Sequence, residues 1–301
     1  MAIDDIKTIC VVGSGTMGAQ IAQQAALGGY PVWLTDVSEE QLQRAVESNR
    51  GLIQRRVDKG QMTQADADAA VARVRTTTSL EAAAGAADFV FEAIVEKLAP
   101  KRELFAQLDQ VAPAHTILAT NSSTIPISKL ADATGRPDRC CNTHFFHPVL
   151  VMQLCEVVQG PQTSPQTIAT TMDLIRRIGR VPVLITKEID GFIVNRILHA
   201  ASQEAMRLYE GGYADFDAID LAVEKGLNWP MGPFKLADFS GVDITYNARR
   251  EKFEASGDEH DRPPGFMRKM VEAGRHGRKT GKGFYDYSGG NPRPAEDPRR
   301  L

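Results

Sequence analysis

A chain of 301 residues is longer than one hydrophobic core usually supports, so two domains are expected. Its 43% hydrophobic and 24% charged residues are those of an ordinary globular protein, and a formal net charge of -3 offers no basic field to nucleic acid or an anionic membrane. No run approaches the roughly 18 consecutive apolar residues that a membrane helix needs, so neither membrane nor nucleic acid is expected as a partner.

Met1–Lys7 carries Asp4 and Asp5 and lacks the basic start and apolar stretch of a secretory signal. The four cysteines form no C-x-x-C pair: Cys10 lies in an apolar run, Cys155 stands alone, and the adjacent Cys140 and Cys141 would face opposite ways in a strand. Neither disulfides nor zinc are expected, and a cytoplasmic location is. Strands are predicted over 8–12, 32–36, 74–78, 88–94, 116–121, 140–146, 152–159 and 181–186, and helices over 16–27, 38–58, 97–111 and 166–178. Such alternation predicts an α/β fold, a Rossmann-like domain with a mostly parallel sheet and helices on both faces. From Gly191 to Ala273 the apolar spacing is helical, as in Phe192, Val194, Ile197, Leu198 and Ala201. The expected division is therefore 1–188 for the sheet domain, 189–287 for an all-α C-terminal domain, and 288–301 for a frayed tail rich in Pro, Gly and charge.

Gly13-Ser14-Gly15-Thr16-Met17-Gly18 follows an apolar strand and opens a helix. In that context G-x-G-x-x-G binds a dinucleotide: Gly13 allows the tight turn, Gly15 lets the pyrophosphate approach the backbone, and Gly18 lets helix and strand pack closely. The pyrophosphate then meets the unsatisfied N–H groups at the helix start, with Thr16 and Met17 in its first turn. Asp36 ends the second strand, where a carboxylate accepts hydrogen bonds from ribose hydroxyls and repels a 2′-phosphate. No arginine follows among Val37, Ser38 and Glu39, so NAD is preferred over NADP. The alternative for Asp36 is a helix N-cap, a role open to Ser38 as well.

Further along, His144-Phe145-Phe146-His147-Pro148 precedes Glu156 in Leu154-Cys155-Glu156-Val157-Val158. This resembles the H-F-F-N-P-V-P and V-E-V motifs of the 3-hydroxyacyl-CoA dehydrogenases. Asn121-Ser122-Ser123-Thr124, Gly191-Phe192-Ile193-Val194-Asn195-Arg196, Pro230-Met231-Gly232-Pro233-Phe234 and Lys279-Thr280-Gly281-Lys282-Gly283-Phe284-Tyr285 are similar to that family's remaining motifs, in family order. The resemblance implies NAD-dependent oxidation of an L-3-hydroxyacyl-CoA, most like the stand-alone 3-hydroxybutyryl-CoA type. It makes His144 the general base, Glu156 its orienting carboxylate, and Ser123 and Asn195 the groups that orient substrate oxygens. An imidazole suits the role because its ordinary pKa lies near neutrality. With Asn195 just past the domain boundary, the active site is expected between the domains.

The resemblance also assigns Glu96, Lys101, His147 and Lys279 to the cofactor and Lys59 to the CoA phosphates. Glu96 and Lys101 could equally be a solvated ion pair, Lys279 part of a charged surface, and Lys59 an ordinary helix-end lysine. His147 stands where the family usually has asparagine, Leu150 where it has a second proline, and Leu52 where longer-chain members have a CoA-contacting serine. Those departures bear on substrate range and pH optimum more than on reaction class. The resemblance further implies a homodimer through the helical domain, with apolar faces around Pro230–Phe239. Two other functions fit the motifs less well: a dehydrogenase of a free small 3-hydroxy acid, and a catalytically silent NAD-binding structural protein.

Overall fold

A computed structural model describes all 301 residues. In the first part of the chain the elements run β1 (Ile9–Val12), α1 (Thr16–Leu27), β2 (Val32–Thr35), α2 (Glu39–Asp58), α3 (Gln64–Ala72), β3 (Val74–Thr77), α4 (Leu80–Ala84), β4 (Phe89–Glu92), α5 (Leu98–Val111), β5 (Ile117–Thr120), α6 (Ser128–Ala131), β6 (Cys140–Phe145), β7 (Leu154–Val158), α7 (Pro165–Arg177) and β8 (Val181–Ile185). All eight predicted strands are present, and they form one sheet in the order β3-β2-β1-β4-β5-β6-β7-β8. Every neighbouring pair is parallel except β6 and β7.

The central strands are apolar on both faces because helices cover both, as buried parallel strands require. On one face Ile9, Val11, Leu34, Phe89 and Phe91 pack with the alanine-rich α1 and with α7. On the other, Cys10, Val90 and Leu118 pack with α4 and α5. Cys140 and Cys141 fall in opposite layers, as the two-residue period dictates, and all four cysteines are free and buried. Chain order reverses between β1 and β4, so the carboxyl ends of these strands open a crevice where open α/β sheets bind ligands.

The second part contains α8 (Val194–Glu210), α9 (Phe216–Gly226), α10 (Pro233–Ser240), α11 (Val242–Ser256), α12 (Gly265–Glu272), and a short antiparallel pair, β9 (Tyr285–Asp286) and β10 (Arg293–Pro294). Its core gathers Tyr209, Phe216, Phe234, Phe266 and Phe284, mostly edge to face. Two buried carboxylates brace it. Asp220 accepts the Phe234 and Lys235 N–H groups and the Tyr285 hydroxyl, and Asp238 accepts the N–H groups of Phe284 and Tyr285.

The chain divides into compact units at Met1–Val194 and Asn195–Leu301. Two expectations need correction. Helices α3, α4 and α6 were not predicted. The segment 288–301, expected to fray, instead pairs through β10 and engages the core at Tyr209. No helix is long and apolar enough to cross a membrane.

Candidate active site

The glycine turn follows from packing. Gly13 has φ of +98°, and a Cβ there would lie 2.6 Å from the Ala93 carbonyl oxygen; a Cβ on Gly18 would lie 1.8 Å from the Gly13 carbonyl oxygen. Around Gly15, by contrast, nothing lies within 4 Å of the Cβ position. Two glycines are thus demanded by the protein, and the middle one opens onto free space. Helix α1 begins at Thr16 with no side-chain cap and no acidic residue in its first turn, which leaves its N–H groups to an anion.

Asp36 stands beside this turn. Its Oδ2 accepts the Ser14 N–H at 2.7 Å and the Ser14 hydroxyl at 3.0 Å, and its Oδ1 accepts the Ser38 N–H at 3.1 Å. Ser38 is the N-cap of α2, accepting from Gln41, so Asp36 is not the cap. Gly13, Gly15 and Asp36 line a cavity of about 610 Å³ with Leu80, Ile94, Val95 and Leu104. That volume lies within the usual range for ligand sites of about 300–1,000 Å³. An uncapped helix start, an open glycine, an apolar slot and a carboxylate at its rim fit an adenine dinucleotide.

His144 and Glu156 are partners in register across the antiparallel β6–β7 pair. Alternation along β6 sends Phe145 into the core against Phe91 and His144 to the other face. His144 Nδ1 lies 2.8 Å from Glu156 Oε2, with both residues buried. Glu156 Oε1 accepts the backbone N–H groups of Ile193 at 3.0 Å and Val194 at 2.9 Å. Burial pushes the Glu156 carboxyl up, but the bond from His144 and these N–H groups outweigh it and hold the carboxyl below its usual range. An ionised Glu156 only accepts, so Nδ1 carries the proton and Nε2 presents its lone pair. The Phe146 and Phe192 rings flank the imidazole at centroid distances of 4.6 and 5.5 Å.

Ser123 lies just beyond β5, and its Oγ is 2.9 Å from His144 Nε2. With Nδ1 protonated, the serine hydroxyl donates. The turn that carries it is held by Glu96, whose Oε1 accepts from Ser122 Oγ, from the Ser123 and Thr124 N–H groups at 3.1 Å each, and from Thr124 Oγ1 at 2.9 Å. Burial would raise the Glu96 carboxyl, but the Ser122 bond, the Lys101 charge and the Thr124 bonds hold it below the usual range.

Lys101 is only 1% exposed and so is no solvated pair; its ammonium lies 2.5 Å from Glu92 Oε1 and 3.3 Å from Glu96 Oε2. Lys59 is the exposed C-cap of α2, at the helix end where a cation is favoured. His147 is exposed just beyond β6 and is joined to Pro148 by a cis peptide. Asn195 and Lys279 belong to the second unit, where Lys279 Nζ bonds Asp243 Oδ2 at 2.7 Å.

Sequence reasoning missed several supports. Asn121 Oδ1 accepts the Phe145 N–H at 3.0 Å and so ties the Ser123 turn to the histidine strand. Asn142 Oδ1 accepts the Ile127 N–H at 2.8 Å, and its amide donates to Ile125 O. Asn121 opens the N-S-S-T motif and could have been singled out; Asn142 and Glu92 are lone polar residues in apolar runs, a pattern that carries no role by itself.

Comparison with known proteins gives a consistent result. Residues 8–189 match the family model described as "3-hydroxyacyl-CoA dehydrogenase, NAD binding domain", and residues 191–287 match "3-hydroxyacyl-CoA dehydrogenase, C-terminal domain". A probable 3-hydroxybutyryl-CoA dehydrogenase of Bacillus subtilis is 40% identical over 94% of this chain and 98% of its own length. A 3-hydroxybutyryl-CoA dehydrogenase of Bradyrhizobium diazoefficiens is 38% identical over 96% of this chain and 98% of its own. The crystal structure of (S)-3-hydroxybutyryl-CoA dehydrogenase from Ralstonia eutropha is similar with a TM-score of 0.85 at 38% identity, covering 94% of this chain and 99% of that one.

Proposed function

Because the chain belongs to the 3-hydroxyacyl-CoA dehydrogenase family, NAD-dependent oxidoreductases acting on CH–OH, we propose that it oxidises a short-chain L-3-hydroxyacyl-CoA, foremost 3-hydroxybutyryl-CoA, with His144 as base. The single observation that carries the assignment of the base is the Ser123–His144–Glu156 chain, with 2.9 Å at Nε2 and 2.8 Å at Nδ1. The substrate follows the names of the relatives, which share nearly the full length of the chain.

Bound NAD supplies the acceptor for the hydride. The chain's own residues handle the proton. His144 Nε2 takes it from the substrate hydroxyl, and the Glu156 carboxylate at Nδ1 stabilises the resulting imidazolium. Ser123 gives up its bond to Nε2 as the substrate hydroxyl takes that place, and its O–H then donates to the same oxygen. Phe146 and Phe192 keep water from the imidazole. A base of this kind contributes roughly 10²–10⁴-fold. Cofactor contacts by Gly13, Gly15, Thr16, Met17, Gly18, Asp36, Glu96, Lys101 and His147 belong to this proposal. The substrate role of Asn195, the cofactor role of Lys279 and the CoA contact of Lys59 rest on family resemblance alone.

Further parts of the proposal are a cytoplasmic location, where four buried thiols stay reduced, and a homodimer. The homodimer is supported by apolar side chains left exposed on the second unit, among them Leu227 at 63% and Phe239 and Ile244 at 58% each.

The test is NADH formation across an acyl-CoA chain-length series, beside free 3-hydroxybutyrate and with His144→Gln as control. Turnover should peak at short acyl-CoA, and the variant should bind NADH but lose about 10²-fold or more in kcat. A fully active variant would remove His144 from the chemistry, and preference for the free acid would remove the thioester.

A further inference from the structure

We propose that Glu92, Lys101 and Thr120 are positioning residues for the reaction, parts of a closed ring of buried charges and hydrogen bonds that fixes the Ser122–Thr124 turn so that the Ser123 hydroxyl meets His144 Nε2. The inference rests on the reading of His144 as base and Ser123 as its partner.

The ring follows from the sheet. Glu92 ends β4 and Thr120 ends β5, and the two are partners in register. Glu92 Oε2 accepts from Thr120 Oγ1 at 2.6 Å, and Thr120 Oγ1 accepts the Ser122 N–H at 3.1 Å. Ser122 Oγ donates to Glu96, whose other carboxylate oxygen lies 3.3 Å from Lys101 Nζ. Lys101 returns to Glu92 Oε1 at 2.5 Å, where the Ile94 N–H also donates at 2.7 Å. Glu92 and Thr120 are 0% exposed and Lys101 1%, so water does not supply alternatives.

Helix stability does not account for the lysine. Lys101 lies in the first turn of α5, at the end of the macrodipole where a cation is unfavourable. Nor does core stability, since a buried ion pair stabilises a fold no better than apolar residues of the same volume. What the arrangement adds is geometry. Through Glu96 and Thr120 it fixes Ser122 N, Ser122 Oγ, Ser123 N, Thr124 N and Thr124 Oγ1, which leaves the Ser123 side chain as the polar group of the turn directed at the base.

The experiment is a set of double-mutant cycles in the full-length enzyme. Thr120→Val, Glu92→Gln and Lys101→Met are each made in the wild-type and the Ser123→Ala backgrounds. NADH formation from 3-hydroxybutyryl-CoA is followed in single turnovers with enzyme in excess, so that slow variants remain measurable, and NADH affinity is followed by fluorescence. In the wild-type background each change should slow turnover about tenfold or more, with NADH Kd within about twofold for Thr120→Val and Glu92→Gln, because small misplacements of a reacting group cost that much. In the Ser123→Ala background the same changes should cost almost nothing, because their effect passes through the missing hydroxyl. Equal losses in both backgrounds, or a loss confined to NADH Kd, overturn the proposal. Should Glu92→Gln or Lys101→Met fail to fold, Thr120→Val decides, since it removes one hydroxyl and keeps its volume. The His144→Gln control separates the two readings. If it stays active, the assignment of the base falls and the ring with it; if it is inactive while the cycles are additive, only the ring falls.

Discussion

Glu156 faces its histidine across two hydrogen-bonded strands and receives two backbone N–H groups on its other oxygen, so three donors converge on one buried carboxylate. Burial raises its carboxyl and the donors lower it further, which leaves the folded value below the ordinary 4.5. A carboxyl of this kind contributes stability that is complete above the unfolded value and is lost as pH falls through the folded one. Glu156→Gln should therefore be less stable than the parent by on the order of 2 kcal/mol at pH 7. The gap should not shrink between pH 7 and 5, and it should close only below about 4.5, as followed by thermal unfolding across pH. A gap already closing near pH 6 would mean that the carboxyl is not held low. The same variant should lose about 10²–10⁴-fold in kcat, because the amide can hold the wrong imidazole tautomer. At this scale the sequence was informative where a residue type has few uses. His144, Glu156 and Ser123 come together as their motifs imply. The burial of Lys101 against Glu92 was not legible, because a linear sequence does not reveal that a charge is buried, and Glu92 reads as one polar residue in an apolar strand.

The strand–turn–helix unit at the amino end separates a demand of the fold from a demand of the ligand. Gly18→Ala drives a methyl into the Gly13 carbonyl at 1.8 Å, so α1 must move off β1. A loss of about 3 kcal/mol or more is expected, together with loss of NADH binding. Gly15→Ala meets nothing within 4 Å, and its φ of -61° suits alanine. Its melting temperature should match the parent within about 2 °C while NADH affinity falls about tenfold or more, because the methyl enters the pyrophosphate path. Differential scanning fluorimetry beside NADH titration checks both; parental affinity in Gly15→Ala would place the pyrophosphate elsewhere. The strands were legible because apolar runs bounded by turn residues leave few alternatives. The missed helices are those that local signals barely support. α4 and α6 are 5 and 4 residues long, below what nucleation sustains alone, and packing rather than periodicity creates them. α3 is a run of alanine and aspartate with no marked apolar stripe, though its Thr63 cap bonded to Asp66 was a readable start.

For the molecule as a whole, composition misleads most at the carboxyl end, where Pro, Gly and Arg suggest a loose tail. Charge there is used for attachment instead. Asp297 accepts the hydroxyl of Tyr209, which is itself 0% exposed, and the Arg299 guanidinium lies 4.2 Å over the same ring. Arg299 also donates to the Tyr209 carbonyl at 2.9 Å and to Asp215 at 2.6 Å, and Arg275 reaches the Glu296 carbonyl at 2.9 Å. The hydrogen bonds from Arg299 hold the Asp297 carboxyl far below its usual range despite partial burial. Removing residues 289–301 strips these partners from Tyr209 and Arg275 and uncovers the aromatic cluster. Net hydrogen bonds to charged groups contribute about 1.5–3 kcal/mol each, less where water competes, so a total loss of about 2–4 kcal/mol is expected. At about 2–4 °C per kcal/mol, the melting temperature should fall by roughly 5–15 °C. Arg299→Ala alone should reproduce part of that fall, since it leaves the Ala295 N–H bonded to Phe284 O and the β9–β10 pair in place. A truncated chain that melts with the parent would return the segment to the frayed tail its composition suggests.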